Sequence, residues 1–192
     1  MSPEDFLDHW RQHYGEAPLV GHVLRARFPR RWLRIHSLPE SKRYAETEAE
    51  RAEILRRQHR LLHDLIGHGG HCELVFGDYD DDDDERLPEA VRAALRSLGP
   101  EPLGVLSAEE SGLAADVPLR KASFTWPHPA LDVILLAVAD DVLETPLLVS
   151  TERRAIVAPY DGGVDMIVER EEQRAELLVR YASWRSRHPA GL

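Results

Sequence analysis

The chain has 192 residues, 43% hydrophobic and 30% charged, which suits an ordinary globular protein with one good hydrophobic core. Its 24 basic and 34 acidic residues give a net charge of -10; this argues against non-specific nucleic-acid binding, which needs a positive footprint, although a local basic patch stays open. No apolar run reaches the roughly 18 residues of a membrane-spanning helix, "MSPEDFLDHW" lacks the basic start and apolar core of a secretory leader, and the single cysteine, Cys72, has no partner for an internal disulfide, so a cytoplasmic, reducing location is expected.

The first predicted helix is capped by Ser2, with Pro3 at its first position and Gly15 as its stop. Phe6, Leu7, Trp10 and Tyr14 recur at helical spacing. A short second helix is predicted over Leu19–Arg27, ended by Pro29. "RWLRIHS" alternates as a strand, with Leu33 and Ile35 on one face and Trp32, Arg34 and His36 on the other. A Trp/Arg/His face is covered by a helix or lines a cleft. The longest helix is predicted from about Ala45 to Ile66. Its regular part starts at a Thr47/Glu50 capping box, its apolar stripe runs from Ile54 to Ile66 and includes Gln58, and Gly67 closes it.

"HCELVFG", His71 to Gly77, is the second strand. An acidic loop follows, then a helix over Pro88–Leu98, a possible strand over Leu103–Leu106 and a loop, "SAEESGLAADVP". Leu119–Trp126 is predicted as a strand and Pro129–Asp140 as a helix. "PLLVST", "RRAIVAPY" and "VDMIVE" are three strands with short connections, which makes them an antiparallel meander. A last helix over Arg170–Arg185 presents Leu177, Tyr181 and Trp184 on one face. The sum is a single α+β domain. It has a mostly antiparallel sheet of about five or six strands, a C-terminal three-stranded meander and helices packed on the sheet.

No strong catalytic motif is present. Asp78, Asp80–Asp84 and Glu85 place seven carboxylates in eight residues. A calcium loop spaces its acids around a glycine, whereas consecutive acids diverge and repel, so a solvated surface loop is expected. His68, His71 and Cys72 offer three ligand types for zinc but no fourth, so the segment reads as a helix-to-strand turn with a buried cysteine. A GxSxG elbow, a P-loop and a dinucleotide fingerprint are all missing, and no catalytic residue, metal or cofactor is assigned.

Two stretches remain. "SLPESKRY" places Ser41, Lys42, Arg43 and Tyr44 at a strand-helix junction, either as a ligand site at the open end of the sheet or as a polar joint anchored by Tyr44; the joint is favoured. "PYDGGVD" contains Tyr160, Asp161 and Asp165. Asp161 and the two glycines suit a tight turn with positive φ. Asp165 falls on the following strand beside Ile167. If that face is covered the carboxylate needs a partner, and Arg34 is a candidate, so that the two stretches would meet across the sheet; the equal alternative is a plain β-turn with a surface aspartate.

The order of an "RIH" strand, a long helix, an "LVFGDY" strand and a late "YDGGVD" hairpin before a final helix resembles a family of uncharacterised bacterial proteins, a numbered domain of unknown function. In that family a comparable YDDRGxD stretch occurs; Tyr160, Asp161, Gly162, Gly163 and Asp165 stand in its place, and Gly162 departs from it. The resemblance implies a bacterial origin and a fold, and no activity.

The leading expectation is a non-enzymatic binding module for a basic protein partner, such as an immunity protein that neutralises a toxin. Net acidity, the aspartate run and the lack of a catalytic motif motivate it. One alternative is an enzyme or small-ligand binder with a site around Arg34, His36, Arg43, Asp161 and Asp165, the arginines holding an anion and His36 or an aspartate acting as acid or base. Another is a metal-binding protein using His68, His71 and the aspartate run.

Overall fold

A computed structural model describes residues 1–78, 87–144 and 146–185. Asp80–Asp84 and Glu85 of the aspartate run lie outside the described residues. In chain order the elements are α1 (Pro3–Tyr14), α2 (Gly21–Arg27), β1 (Trp32–His36), α3 (Glu48–Ile66), β2 (His71–Gly77), α4 (Glu89–Ser97), β3 (Glu101–Leu106), α5 (Ala108–Ser111), β4 (Val117–Thr125), α6 (Ala130–Ala139), β5 (Leu147–Ser150), β6 (Ala155–Tyr160), β7 (Gly163–Ile167) and α7 (Glu171–Arg180). Among the described residues the strands form one sheet of seven, in the order β1-β7-β6-β5-β2-β4-β3, and every neighbouring pair is antiparallel. The fold is α+β with the β5–β6–β7 meander. It has more strands than the five or six expected, because β3 does pair with β4, through a register shift between Pro102 and Gly104.

Local signals set most element ends. The Ser2 hydroxyl accepts from the Asp5 N–H at 3.1 Å, and Gly15 leaves α1 at φ 65. At α3, the Thr47 hydroxyl accepts from the Glu50 N–H while the Glu50 carboxylate accepts from the Thr47 N–H, a complete capping box. Two stretches differ from the sequence reading. Within "SAEESGLAADVP" a single helical turn, α5, forms because the Asp116 carboxylate accepts from the Ala108 N–H at 2.8 Å and Gly112 stops the turn at φ 72. The last helix ends at Arg180 and tightens into a 3-10 turn over Ala182–Trp184, where Tyr181 and Trp184 stack at 4.8 Å.

Helices cover the sheet on both faces. On one face α3, α4, α6 and α7 bury Leu61, Leu95, Ile134 and Leu177 against Leu33, Ile35, Leu74, Phe124, Leu148 and Met166. On the other, α1 and α2 bury Phe6, Trp10, Tyr14 and Leu24 against Val75, Val149, Ile156, Ala158 and Ile167. The Trp32/Arg34/His36 face of β1 lies on this second side, with Trp32 packed into its apolar cluster. Double coverage explains why β5, β6 and β7 read as near-continuous apolar runs rather than alternating ones. Contact is close: a Cβ added at Gly21 in α2 would stand 2.9 Å from Ala158 Cβ.

Double coverage also buries charge. Glu73 on β2 and Lys121 on β4 are 5% and 2% exposed, under the start of α1. The Lys121 ammonium donates to the Glu73 carboxylate at 2.8 Å, to the Met1 carbonyl at 2.8 Å and to the Ser123 hydroxyl at 3.0 Å, which uses its three donors. The exposed backbone of edge strand β1 is also closed by charge. Arg174 of α7 donates to the Trp32 carbonyl at 2.5 Å, and Arg57 of α3 donates to the His36 carbonyl at 3.0 Å.

Lys121→Met leaves Glu73 buried without a cation and is expected to lower stability by about 3–5 kcal/mol in urea denaturation. Adding Glu73→Leu should restore most of that loss. A double variant as unstable as the single would show that the contact to the Met1 carbonyl, not the ion pair, is what matters.

Candidate functional site

The two stretches singled out in the sequence meet at one corner of the sheet. In the register of β1 against β7, Arg34 stands opposite Asp165 and His36 opposite Gly163. Arg34 donates from Nε to Asp165 Oδ1 at 2.6 Å and from Nη2 to Oδ2 at 2.8 Å, a bidentate pair with side chains only 16% and 8% exposed. The Arg34 guanidinium carbon lies 4.5 Å from the Tyr160 ring centroid and 5.7 Å from that of Trp32. Burial pulls the Arg34 pKa down, but the hydrogen bonds and charge of Asp165 leave it raised. Burial also pushes the Tyr160 phenol up to about 12.

The β6–β7 turn departs from the sequence reading. Neither Gly162 nor Gly163 adopts a positive φ. They are needed for space: a Cβ on Gly162 would lie 3.0 Å from Tyr160 Cε2, and one on Gly163 would lie 3.0 Å from Tyr160 Oη and collide with the Ile35 carbonyl. The Tyr160 ring therefore folds over its own hairpin towards Arg34.

The junction after β1 grips the same turn from outside. Arg43 pairs through Nε with the Asp161 carboxylate, and the Tyr44 hydroxyl donates to it at 2.9 Å. Lys42 pairs with Glu50 at 2.7 Å and Glu46 at 3.1 Å, facing the start of α3 rather than the hairpin. Glu40 and Ser41 take left-handed φ values of 57 and 59, which reverse the chain here. Ser41 is exposed, and its side chain makes no hydrogen bond among the described residues. Thus Arg34, Tyr160 and Asp165 form one cluster, Arg43, Tyr44 and Asp161 a second, and Lys42 and Ser41 join neither.

His36 is 8% exposed and its Nε2 has no hydrogen-bond partner among the described residues; burial lowers its pKa. On the far side of the sheet end, Gln58 donates to the Ser37 hydroxyl at 3.4 Å while its Oε1 is unpartnered. Arg57, which the sequence did not single out, ties this corner to α3: it donates to Glu53 at 2.6 Å as well as to the His36 carbonyl. The hydrogen bond from Arg56, joined by that from Arg57, holds the Glu53 carboxyl down at about 2. The only sequence signal for Arg57 is a cation directly before Gln58 in an otherwise apolar stripe. Glu73 and Lys121 were legible only as opposite charges inside two strands.

Elsewhere, burial pushes the Cys72 thiol well above its ordinary value, which leaves it an inert core group. Among the described residues no three His, Cys, Asp or Glu side chains gather to hold a metal ion. Chemically, the corner consists of two closed ion pairs and one neutral buried imidazole. That arrangement can fix the hairpin against the junction, and it leaves no arginine of the pair clusters without a carboxylate.

The model of the domain of unknown function DUF3885 matches residues 20–189, and the chain belongs to that family. No curated protein and no solved structure matches the chain.

Asp165→Ala strands the Arg34 guanidinium under cover and is expected to cost about 3–5 kcal/mol, of which Arg34→Met in the same chain recovers most. Additive losses in this double-mutant cycle, read by denaturant titration, would mean that the pair is not coupled. For His36 the folded pKa lies below the ordinary 6.5, so the unfolded chain binds the proton more readily. Its contribution is complete above pH 6.5 and is lost as pH falls below that value towards the folded pKa. His36→Gln should flatten this limb of the stability–pH curve, and an unchanged limb would exclude His36 as its source.

Proposed function

We propose that the protein is a non-enzymatic binding module of the bacterial cytoplasm whose partner is a basic protein, in the manner of an immunity protein that neutralises a toxin. The observation that carries this reading is where the charges are satisfied. The cations of the corner that most resembles an active site, Arg34 and Arg43, are closed by Asp165 and Asp161. At the other edge of the sheet, Glu109 and Glu110 of α5 are exposed and have no cation partner among the described residues. They follow edge strand β3, whose Val105 is 65% exposed. An exposed apolar side chain a few residues from carboxylates unpaired among the described residues, on a chain of net charge -10, suits docking of a basic surface and electrostatic steering towards it.

A competing small-ligand reading rests on His36, whose Nε2 is buried without a hydrogen-bond partner among the described residues and which lies within electrostatic reach of Arg34 and Asp165. It places an anion or a hydrogen-bonding ligand at Arg34, His36, Arg43, Asp161 and Asp165 and requires one of the ion pairs to open.

The test is affinity capture from the native bacterium at low salt, with step elution and mass spectrometry. A stoichiometric basic protein released by salt is expected. Its association rate should fall about tenfold or more in Glu109→Lys/Glu110→Lys, with little change in stability. A bait that returns no partner, or one whose binding ignores both salt and this charge reversal, would overturn the reading in favour of the His36 corner.

A further inference from the structure

A group of polar atoms lies between the C-terminal half of α1, the segment leading into β1 and the β5–β6 turn, and no part of the functional reading above uses it. Tyr14 is 4% exposed, and its hydroxyl is buried with no hydrogen-bond partner among the described residues. Arg31 Nε and Nη2, at the Tyr14 ring, and His9 Nε2, five residues earlier on α1, are also buried and without a hydrogen-bond partner among the described residues. The Arg31 guanidinium carbon sits 5.7 Å from the Tyr14 ring centroid and 4.7 Å from that of Phe28, which fixes it by two aromatic faces rather than by an acceptor. His9 stacks on His13 at 4.2 Å. Arg154, at φ 48 in the β5–β6 turn, is within electrostatic reach of both His9 and Tyr14.

Nearby carboxylates are engaged elsewhere. Glu169 pairs with Arg154 at 2.6 Å, Glu171 with Arg30 at 2.8 Å and Asp8 with Arg11 at 2.7 Å. What remains is a charged guanidinium with no carboxylate among the described residues, together with a phenol hydroxyl that can donate or accept and an imidazole nitrogen whose role depends on its tautomer. A neutral water would meet the hydrogen-bond geometry but leave the charge uncompensated, whereas an oxyanion answers both. Such a site stands out on a chain of net charge -10, whose long-range field works against collecting anions without specific donors.

We infer that Tyr14, Arg31 and His9 form a binding site for a small oxyanion, a phosphate or carboxylate group, held by the Arg31 fork and the Tyr14 hydroxyl. His9 and Tyr14 precede the matched family region, residues 20–189, while Arg31 and Arg154 lie inside it. The site therefore depends on α1 being docked.

The test uses the full chain at constant ionic strength, with sodium phosphate and sodium acetate compared against sodium chloride. Thermal midpoint and the His9 and His13 imidazole NMR signals are followed. The expected result is a saturable rise in midpoint, with movement of the His9 signal, for phosphate or for acetate and not for chloride; whichever anion acts identifies the oxyanion. Arg31→Gln should weaken that affinity about tenfold or more, the loss expected for a charge-assisted pair. Tyr14→Phe should weaken it less and leave the fold intact, because it removes a hydroxyl that has no partner. Responses to phosphate and acetate indistinguishable from chloride would overturn the inference. So would a Tyr14→Phe chain that is stabilised in chloride while its anion response is unchanged, which would mark the gap as a structural void.

Discussion

A sheet covered by helices on both faces cannot hold a charged strand residue unless that residue is paired within the sheet. This constraint organises much of the molecule. Each inward position is taken out of water, and an unpaired carboxylate or guanidinium there would cost more than most single contacts return. Arg34 and Asp165 meet the constraint across the β1–β7 ladder, and Glu73 and Lys121 meet it across β2 and β4. Both pairs lie on the α1/α2 face, where the covering layer is rich in aromatic side chains. There Trp32 and Tyr160 flank one pair, and the Met1 carbonyl completes the other.

The same constraint shapes the edge of the sheet. Among the described residues strand β1 pairs only with β7, so its outer carbonyls stand at the edge of the sheet. Arg57 and Arg174 fill two of them from helices on the opposite face. The junction that follows β1 then folds back on the hairpin through Arg43, Tyr44 and Asp161. The hairpin accepts this because Gly162 and Gly163 leave room for the Tyr160 ring. Positive, negative and aromatic groups at one sheet end resemble an active site in composition, yet here the ion pairs join strand, hairpin and long helix.

Two regions do not fit this pattern of internal closure, and they point in opposite electrostatic directions. The β3–α5 edge exposes carboxylates and an apolar valine to solvent. The region between α1 and the β5–β6 turn holds buried polar groups that find no partner among the described residues. Ion pairs that close on themselves contribute to folding and contribute little to recognition. Groups left open are where an external partner or ligand changes the free energy. An acidic surface and a small cluster with an unpaired arginine can therefore coexist on one chain without competing for the same binding event.

The sequence by itself determined what depends on neighbours within a few residues. Ser2, Gly15, Thr47 with Glu50 and Gly67 mark helix ends by local hydrogen bonding and backbone freedom. The short connections around Glu152 and Asp161 fix the meander, because nearby chain ends leave only antiparallel pairing. The meeting of Arg34 with Asp165 was legible as one of two readings, since period-2 alternation put each on a face where charge needs a partner if covered; the structure shows that it is covered. Other features were decided only by the tertiary structure. α5 forms because Asp116 returns to cap it, β3 pairs because a register shift accommodates Pro102, and Gly162 and Gly163 are required by a ring and a carbonyl rather than by φ. His9, Tyr14 and Arg31 are spread over helix and loop, and no spacing rule links them. Contacts between distant segments depend on which faces the packed layers bring together, and that arrangement exists only once the sheet has both its covers.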